Sequence, residues 1–367
     1  MNPLALMVLI PTLHPDHLLT RYIEDLVSQG FEKILVIDDG SGPQYAPLFE
    51  KLIVHPQCTV IGYPDNRGKG YALKYGMRYM LENFPEAPGI VTADSDGQHT
   101  ALDVYRVAQR LLEHPRGLII GSRDFSDKNV PFKNRAGNRL TSFFFALLYG
   151  KWLPDTQTGL RGFSTSLVPL MLEVPGERFE YEMNMLILAS TRLVSFDIVM
   201  IQTIYIEENR RSHFRPFKDS LRIYMQLFKN FFKFASASSV STVIDILLFT
   251  LLDKWALPLV GLNANTRILW GISLIVLTSN VLARLCSSFF NYKANKSFVF
   301  QVDKCKGAFA RYIVLALLVL FVSSTLISTL STRTSMDNTL LKISIDTVLF
   351  FVNYRLQRSW VFAEQKC

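Results

Sequence analysis

The sequence predicts an α/β domain on a mostly parallel sheet, followed by an all-α, four-helix transmembrane domain. Three observations lead there. Up to residue 213, short apolar runs alternate with stretches of helical period, and polar motifs fall where the apolar runs end. After Ala235 the apolar residues collect into four stretches, each near the roughly 20 residues that cross a bilayer. Finally, N-Y-K-A-N-K-S-F-V-F at 291–300 returns as N-Y-R-L-Q-R-S-W-V-F at 353–362, each copy directly after such a stretch. That marks a duplicated hairpin closed by a basic-aromatic anchor. The 367 residues are 49% hydrophobic, and because the surplus lies after Ala235 it is not the signature of one large soluble core.

Residues 4–10 form the first strand. The run is short, lacks a basic leader and meets Pro11, which fits a strand better than a secretory signal and leaves the N-terminal domain in the cytoplasm. Residues 16–29 read as a helix. A strand at 33–37 ends in Asp38-Asp39-Gly40-Ser41, and another at 59–62 leads through a polar turn into a helix at 69–82. The strand at 89–93 stops at Asp94-Ser95-Asp96, a helix covers 102–112, and a strand at 117–121 ends in Ser122-Arg123. Open α/β sheets bind ligands at such strand ends. Two stretches that mix Lys and Arg with aromatic residues follow, 132–152 and 214–234, each suited to a helix lying among lipid headgroups; the first suits a helix packed on its own domain as well, whereas the second leads straight into the membrane segments. The predicted spans are 236–257, 269–290, 308–330 and 340–361. The chain thus divides into a cytoplasmic α/β domain at 1–213, an amphipathic interfacial linker at 214–235 and a four-span domain at 236–367.

The net charge of +8 belongs with the membrane, since no nucleic-acid motif accompanies it. Lys293, Lys296, Lys304, Lys306, Arg311, Arg355, Arg358 and Lys366 gather at the span ends that carry the repeat. The opposite loops hold Lys254, Arg267, Arg333 and Lys342, so the repeats are placed on the cytoplasmic side. Cys58, Cys286, Cys305 and Cys367 are scattered, with neither a zinc spacing nor a disulfide framework. Asp245 and Arg284 sit inside the first two spans, where ionisable residues are costly. They either pair across a hairpin or face a polar lipid headgroup.

Two carboxylates two residues apart at a strand end, Asp94 and Asp96, can hold a divalent cation against a diphosphate. D-x-D alone is common; here it follows an apolar strand, Gln98 and His99 stand beside it, and Asp39 ends another strand. Further motifs are Pro11-Thr12, Asn66-Arg67-Gly68-Lys69-Gly70, Gly121-Ser122-Arg123, Thr158-Gly159-Leu160-Arg161-Gly162-Phe163 and Phe179-Glu180-Tyr181-Glu182. As a set, these resemble a family 2 glycosyltransferase of the GT-A (Rossmann-like) fold, of the dolichyl- or polyprenyl-phosphate sugar synthase type. The membrane half resembles the GtrA-like four-span domain.

The resemblance implies a nucleotide-sugar donor held by Pro11, Leu13, Ile37 and Asp39. Asp94 and Ser95 would face its diphosphate, and Arg211 and Lys218 would lie on a segment that closes over it. It implies Mg2+ or Mn2+ on Asp94, Asp96 and Gln98, where the metal neutralises charge on the departing nucleoside diphosphate. The implied acceptor is a polyprenyl phosphate, undecaprenyl phosphate in a bacterial cytoplasmic membrane. A hydroxyl acceptor needs a general base, whereas an anionic lipid phosphate needs cations to place it. Arg123, Arg135 and Arg139 would supply them, with Asn138 where relatives often have Ser. The expected catalytic set is Asp96, Arg123, Arg139 and Glu182, the last as either a base or an orienting group; Lys69 is a fold-supporting or donor-side residue.

Direct displacement by the phosphate would invert the anomeric centre. A processive polysaccharide synthase would carry Q-x-x-R-W, and Gln357-Arg358-Ser359-Trp360 has the wrong spacing. A lipid-sugar flippase or scaffold with a vestigial transferase half suits the duplicated hairpin, but the intact Asp39, Asp94, Asp96, Gln98 and Arg123 argue against a dead enzyme. A homo-oligomer through the membrane domain is also expected.

Overall fold

The computed structural model describes residues 2–125, 130, 132–202, 216–259, 274–302, 307–333 and 338–363, in two compact units, Met1–Leu227 and Phe228–Cys367. The first unit contains β1 (Met7–Thr12), α1 (His17–Gln29), β2 (Lys33–Asp39), α2 (Ala46–Leu52), β3 (Cys58–Tyr63), α3 (Lys69–Asn83) and β4 (Gly89–Thr92). It continues with α4 (Ala101–Glu113), β5 (Gly117–Arg123), α5 (Phe132–Tyr149), β6 (Arg161–Ser164), α6 (Val168–Leu172), α7 (Glu180–Thr191) and β7 (Ser195–Ile201). The strands form one sheet in the order β3-β2-β1-β4-β6-β5-β7, parallel throughout except for β6, which runs against both β4 and β5.

M-V-L-I-P-T of β1 is buried along its whole length, as a central parallel strand covered on both faces must be. Pro11 is tolerated there because the ladder to β4 stops at Leu9, although that to β2 runs on to Thr12. Helix α1 opens on Asp16, whose carboxylate accepts from the Leu18 amide at 2.8 Å, and closes on Gly30 at φ +99°. It buries Leu19, Tyr22, Ile23 and Leu26, one face at helical spacing. Helix α4 opens on Thr100, whose hydroxyl accepts from the Asp103 amide at 3.0 Å, and buries Val104, Val107, Ala108 and Leu111.

Strands β6 and β7 were not expected from the pattern. R-G-F-S has an arginine and a glycine where a core strand usually carries apolar residues, and β7 is a largely half-buried edge strand. The antiparallel β6 matters for the site, because it returns residues 158–161 to the end of β4.

Cys58 begins β3 and is buried, which pushes its thiol up to about 12. At pH 8 it is therefore uncharged and covered, and thiolate is the reactive form. Alkylation of the native protein followed by peptide mapping is expected to leave Cys58 unmodified, and denaturation should expose it.

The second unit is helical. Helix α8 (Pro216–Leu251) runs unbroken from the basic-aromatic stretch into the first predicted span and ends in a π turn (Leu252–Ala256) and the short α9 (Leu257–Leu259). Then come α10 (Leu274–Ala294), α11 (Ala308–Arg333) and α12 (Asn338–Leu356). Among the described residues, Leu221–Leu259 and Leu274–Val299 are long and apolar enough to cross a membrane, and Ala308–Ser323 is a shorter apolar helix.

Both repeat copies end their helix in the same way, in π turns at Asn295–Val299 and Gln357–Val361. Asn295 and Gln357 hold the same place in the two copies, and the Asn295 amide donates to Gln357 Oε1 at 3.0 Å. Tyr292 packs on Phe362 with ring centroids 5.8 Å apart, and its counterpart Tyr354 packs on Phe300, also at 5.8 Å. Phe300 and Phe362 stack on each other at 5.2 Å. Such reciprocal pairing is that of a pseudo-two-fold axis running between the two hairpins.

Candidate active site

The D-D-G-S turn and the N-R-G-K-G loop fold onto each other. Gly40 lies at φ +76°, and a Cβ there would run into the backbone of Asp65 and Asn66. This close approach delivers the loop to Asp39. Its carboxylate accepts from the Tyr63 hydroxyl at 2.7 Å, the amides of Arg67 and Gly68 at 2.9 Å, and the Asn66 side chain at 3.2 Å. The loop amides that a phosphate could have used are therefore directed at Asp39, which is buried. Of the other residues assigned to the donor, Pro11 is buried, Leu13 is half-buried and Ile37 is fully buried in the sheet. Arg211 lies outside the described residues, as does the side chain of Lys218 on α8.

The second cluster stands where β4, α3, β6 and α7 meet. Lys69, the first residue of α3, places its ammonium 2.6 Å from Asp94 Oδ1 and 2.8 Å from Glu182 Oε1. His99 Nε2 lies 3.3 Å from the other oxygen of Asp94. Burial by itself would pull the Lys69 proton off, but the charges of Asp94 and Glu182 outweigh it and hold the ammonium above the usual lysine range. Burial likewise disfavours the Asp94 anion, and the charge of Lys69 together with the hydrogen bond from His99 reverses that, leaving it ionised well below the usual carboxylate range. Asp96 is pushed the other way, first by burial and then by the charge of Asp94. Its Oδ1 accepts the Gln98 amide at 3.2 Å. Ser95 is half-buried beside them.

Two features of T-G-L-R-G-F shape this centre. The Thr92 hydroxyl donates to the Gly159 carbonyl at 2.7 Å, and a Cβ on Gly159 would collide with the Asp94 carboxylate. Arg161 is 1% exposed, donates to the Thr158 carbonyl at 3.0 Å and reaches the Glu182 carbonyl, so β6 fixes the start of α7 and with it Glu182.

Among the described residues, no group of three or more His, Cys, Asp or Glu is arranged as metal ligands. The donor chemistry at the end of β4 nevertheless fits a hard cation. Two carboxylates and an amide oxygen are ligands of that class, and Asp96 is a half-buried carboxyl disfavoured as an anion by burial and by the charge of Asp94. Asp94 enters such a site with both oxygens already engaged, by Lys69 and His99.

The third cluster holds the arginines. Arg123 at the end of β5 makes a two-pronged pair with Asp155, Nε to Oδ2 at 2.7 Å and Nη2 to Oδ1 at 3.1 Å, and its guanidinium lies over the Phe125 ring. Asp155 is 0% exposed. Asn138 on α5 is buried; its amide donates to the Pro154 carbonyl and its oxygen accepts the Thr156 amide at 3.2 Å. It thereby staples the turn that carries Asp155, which in turn orients Arg123. Arg135 is half-buried and Arg139 exposed, four residues on along the same side of α5. Sequence reasoning missed Asp155, because an aspartate after proline in a polar stretch reads as a turn residue.

Residues 7–168 match the model of glycosyl transferase family 2, and residues 233–362 match that of the GtrA/DPMS transmembrane domain. The chain belongs to glycosyl transferase family 2. This family 2 glycosyltransferase is 31% identical over 210 residues to an uncharacterized protein of Methanocaldococcus jannaschii, a match that covers 56% of this chain and 84% of that relative. It is 27% identical over 217 residues to the UDP-N-acetylglucosamine–dolichyl-phosphate N-acetylglucosaminyltransferase of Methanococcus voltae, covering 54% and 86%. To glycosyltransferase AglJ of Haloferax volcanii it is 24% identical over 289 residues, covering 75% and 92%. The family 2 glycosyltransferase therefore has the expected class, a GT-A α/β domain followed by an all-α membrane domain, and is a membrane protein.

Proposed function

We propose that this enzyme transfers one sugar from a UDP- or GDP-sugar to a polyprenyl phosphate on the cytoplasmic face of the membrane, with inversion at the anomeric carbon. The observation that carries this reading is the Lys69 ammonium between Asp94 and Glu182. A general base needs a carboxylate lone pair turned towards the acceptor. Glu182 instead gives one of its oxygens, Oε1, to a lysine, in a side chain only 12% exposed. An acceptor that must be deprotonated is poorly served by this arrangement, whereas a lipid phosphate arrives as an anion. We therefore assign Glu182 a positioning role rather than that of a base.

In the proposed step, a phosphate oxygen of the lipid bonds to the anomeric carbon. The bond from that carbon to the donor diphosphate breaks, and its electron pair leaves with the nucleoside diphosphate. Arg123, held by Asp155, and Arg135 and Arg139 on α5 attract and orient the acceptor phosphate, with Asn138 acting through the turn at 154–156. Lys69 keeps Asp94 ionised and in place. A divalent cation, Mg2+ or Mn2+, would be held by Asp96 and Gln98 with Asp94, and when bound supplies Lewis-acid neutralisation of the departing diphosphate. Methanococcus voltae's relative is named for a dolichyl-phosphate acceptor, which supports the acceptor class. The bias of Lys and Arg towards the repeat side supports a cytoplasmic catalytic domain.

The test is a donor screen. Purified protein in detergent is given undecaprenyl or dolichyl phosphate, Mn2+ and each UDP- and GDP-sugar in turn, and the lipid is read by mass. One phospholipid-linked sugar is expected. EDTA should abolish it, and added Mg2+ or Mn2+ should restore it. No lipid product from any donor, with nucleotide binding intact, would sink the transferase reading and favour the flippase or scaffold.

A further inference from the structure

We infer that Arg284, on α10 in the membrane domain, is a binding site for the phosphate group of a membrane lipid. The inference rests on the chain's transmembrane domain and not on the acceptor reading above. Arg284 Nη2 lies 3.4 Å from Asp245 Oδ2 on α8. The two partners are unequal. The Asp245 side chain is 16% exposed, and the Arg284 side chain is 69% exposed. Asp245 is built into the helix pair: its other oxygen accepts from the Ser287 hydroxyl at 2.8 Å, and the Ser287 carbonyl accepts from Ser241 at 2.7 Å. The acid thus fixes one edge of the guanidinium and presents the rest outward.

Val281, Leu282, Leu285 and Leu247 are exposed on the same helix pair, and one turn before Arg284 the exposed residue is the uncharged Asn280. Hydrocarbon cannot satisfy the outward N–H groups, and leaving them unpaired there is costly. A planar guanidinium with free donors matches a phosphate in two-pronged fashion. Depth allows it. Arg284 precedes the repeat at Asn291 by seven residues, roughly 10 Å along a helix, and a long side chain can rise towards the headgroups from there.

The duplication supplies an internal control. The shift that superimposes the two repeats, from Asn291 to Asn353, carries Arg284 onto Asp346. In the second hairpin that acid accepts a hydrogen bond from Ser323 at 2.6 Å. The second hairpin thus carries an acid and a hydroxyl at this place, and a cation here is particular to the first hairpin.

Retention of lipid by the full chain in detergent, read by native mass spectrometry without donor sugar, tests this. The probes are undecaprenyl phosphate, undecaprenol and phosphatidylglycerol. Arg284→Gln is expected to weaken retention of a lipid phosphate about tenfold and to leave undecaprenol unchanged. A loss confined to undecaprenyl phosphate identifies the polyprenyl lipid as the source, and a loss that includes phosphatidylglycerol identifies the bulk phospholipid. Equal retention of both lipids by Arg284→Gln overturns the inference. So does a smaller oligomer with lipid retention unchanged, which would mean that a second copy of the chain covers the cation. Should Arg284→Gln fail to fold, Asp245→Asn keeps the cation and frees it from the acid. It is expected to retain the lipid phosphate at least as well as the wild type, and a loss there overturns the inference equally. Because no sugar is transferred, failure of the transferase reading leaves this result interpretable.

Discussion

Replacing Lys69 with methionine is expected to lower turnover by about 10²–10³-fold, the scale of losing one preorganised electrostatic contact. It should also destabilise the protein by about 3–5 kcal/mol, the cost of breaking a buried ion pair from one side. The reason is the double pairing. With the ammonium gone, Asp94 and Glu182 face each other across the space it held, in side chains 26% and 12% exposed. Asp96→Asn is the informative companion. Asp96 is a carboxyl disfavoured as an anion by burial and by Asp94, so an amide there removes a like-charge conflict. Asp96→Asn is expected to be at least as stable as the wild type and still to lose transfer. Thermal melts in detergent alongside steady-state kinetics separate the two variants. A Lys69→Met protein within about threefold of wild-type turnover would remove lysine from the centre of the site.

The elements and contacts that were legible in the sequence differ from those that were not in a physical way. Strands β1, β2 and β5 are continuous apolar runs because both their faces are covered, and such runs are visible in one dimension. Strand β6 was hidden because its residues answer to the site: Arg161 fixes α7, and Gly162 and the preceding Gly159 are small where neighbours press close. The acidic motifs could be found as strand-end carboxylates, but the cation that joins them could not. Lys69 meets Asp94 across 25 residues and Glu182 across a longer interval still. Composition at Lys69 shows only a charge after a glycine. The same holds for Asp39: its motif was evident, while the loop that consumes its oxygens became apparent only in the fold. In the membrane half the repeat was readable letter by letter. Its reciprocal Tyr292–Phe362 and Tyr354–Phe300 packing was not, since a repeat fixes that two units exist and leaves open how they face each other.

The Arg123–Asp155 pair leads to the other large effect. Asp155 is 0% exposed, so Arg123→Ala would strand a buried carboxylate and confuse folding with function. Arg123→Lys avoids this: it keeps a positive charge beside Asp155 but loses the planar fork that can hold an acid and present further N–H donors at once. It is expected to lower kcat/KM for the lipid phosphate about 10–100-fold, the worth of one to two charge-assisted hydrogen bonds. KM for the nucleotide-sugar should not change. Asp155→Asn should move the same parameter in the same direction, because an amide no longer fixes the guanidinium through two acceptor oxygens. Hydrolysis of the donor by water, assayed without lipid, is the deciding readout. It needs the donor site but no acceptor phosphate, so both variants should hydrolyse donor at the wild-type rate while failing with lipid. If hydrolysis falls in parallel with transfer, Arg123 serves the donor or the fold, and the acceptor phosphate must be placed by Arg135 and Arg139 on α5.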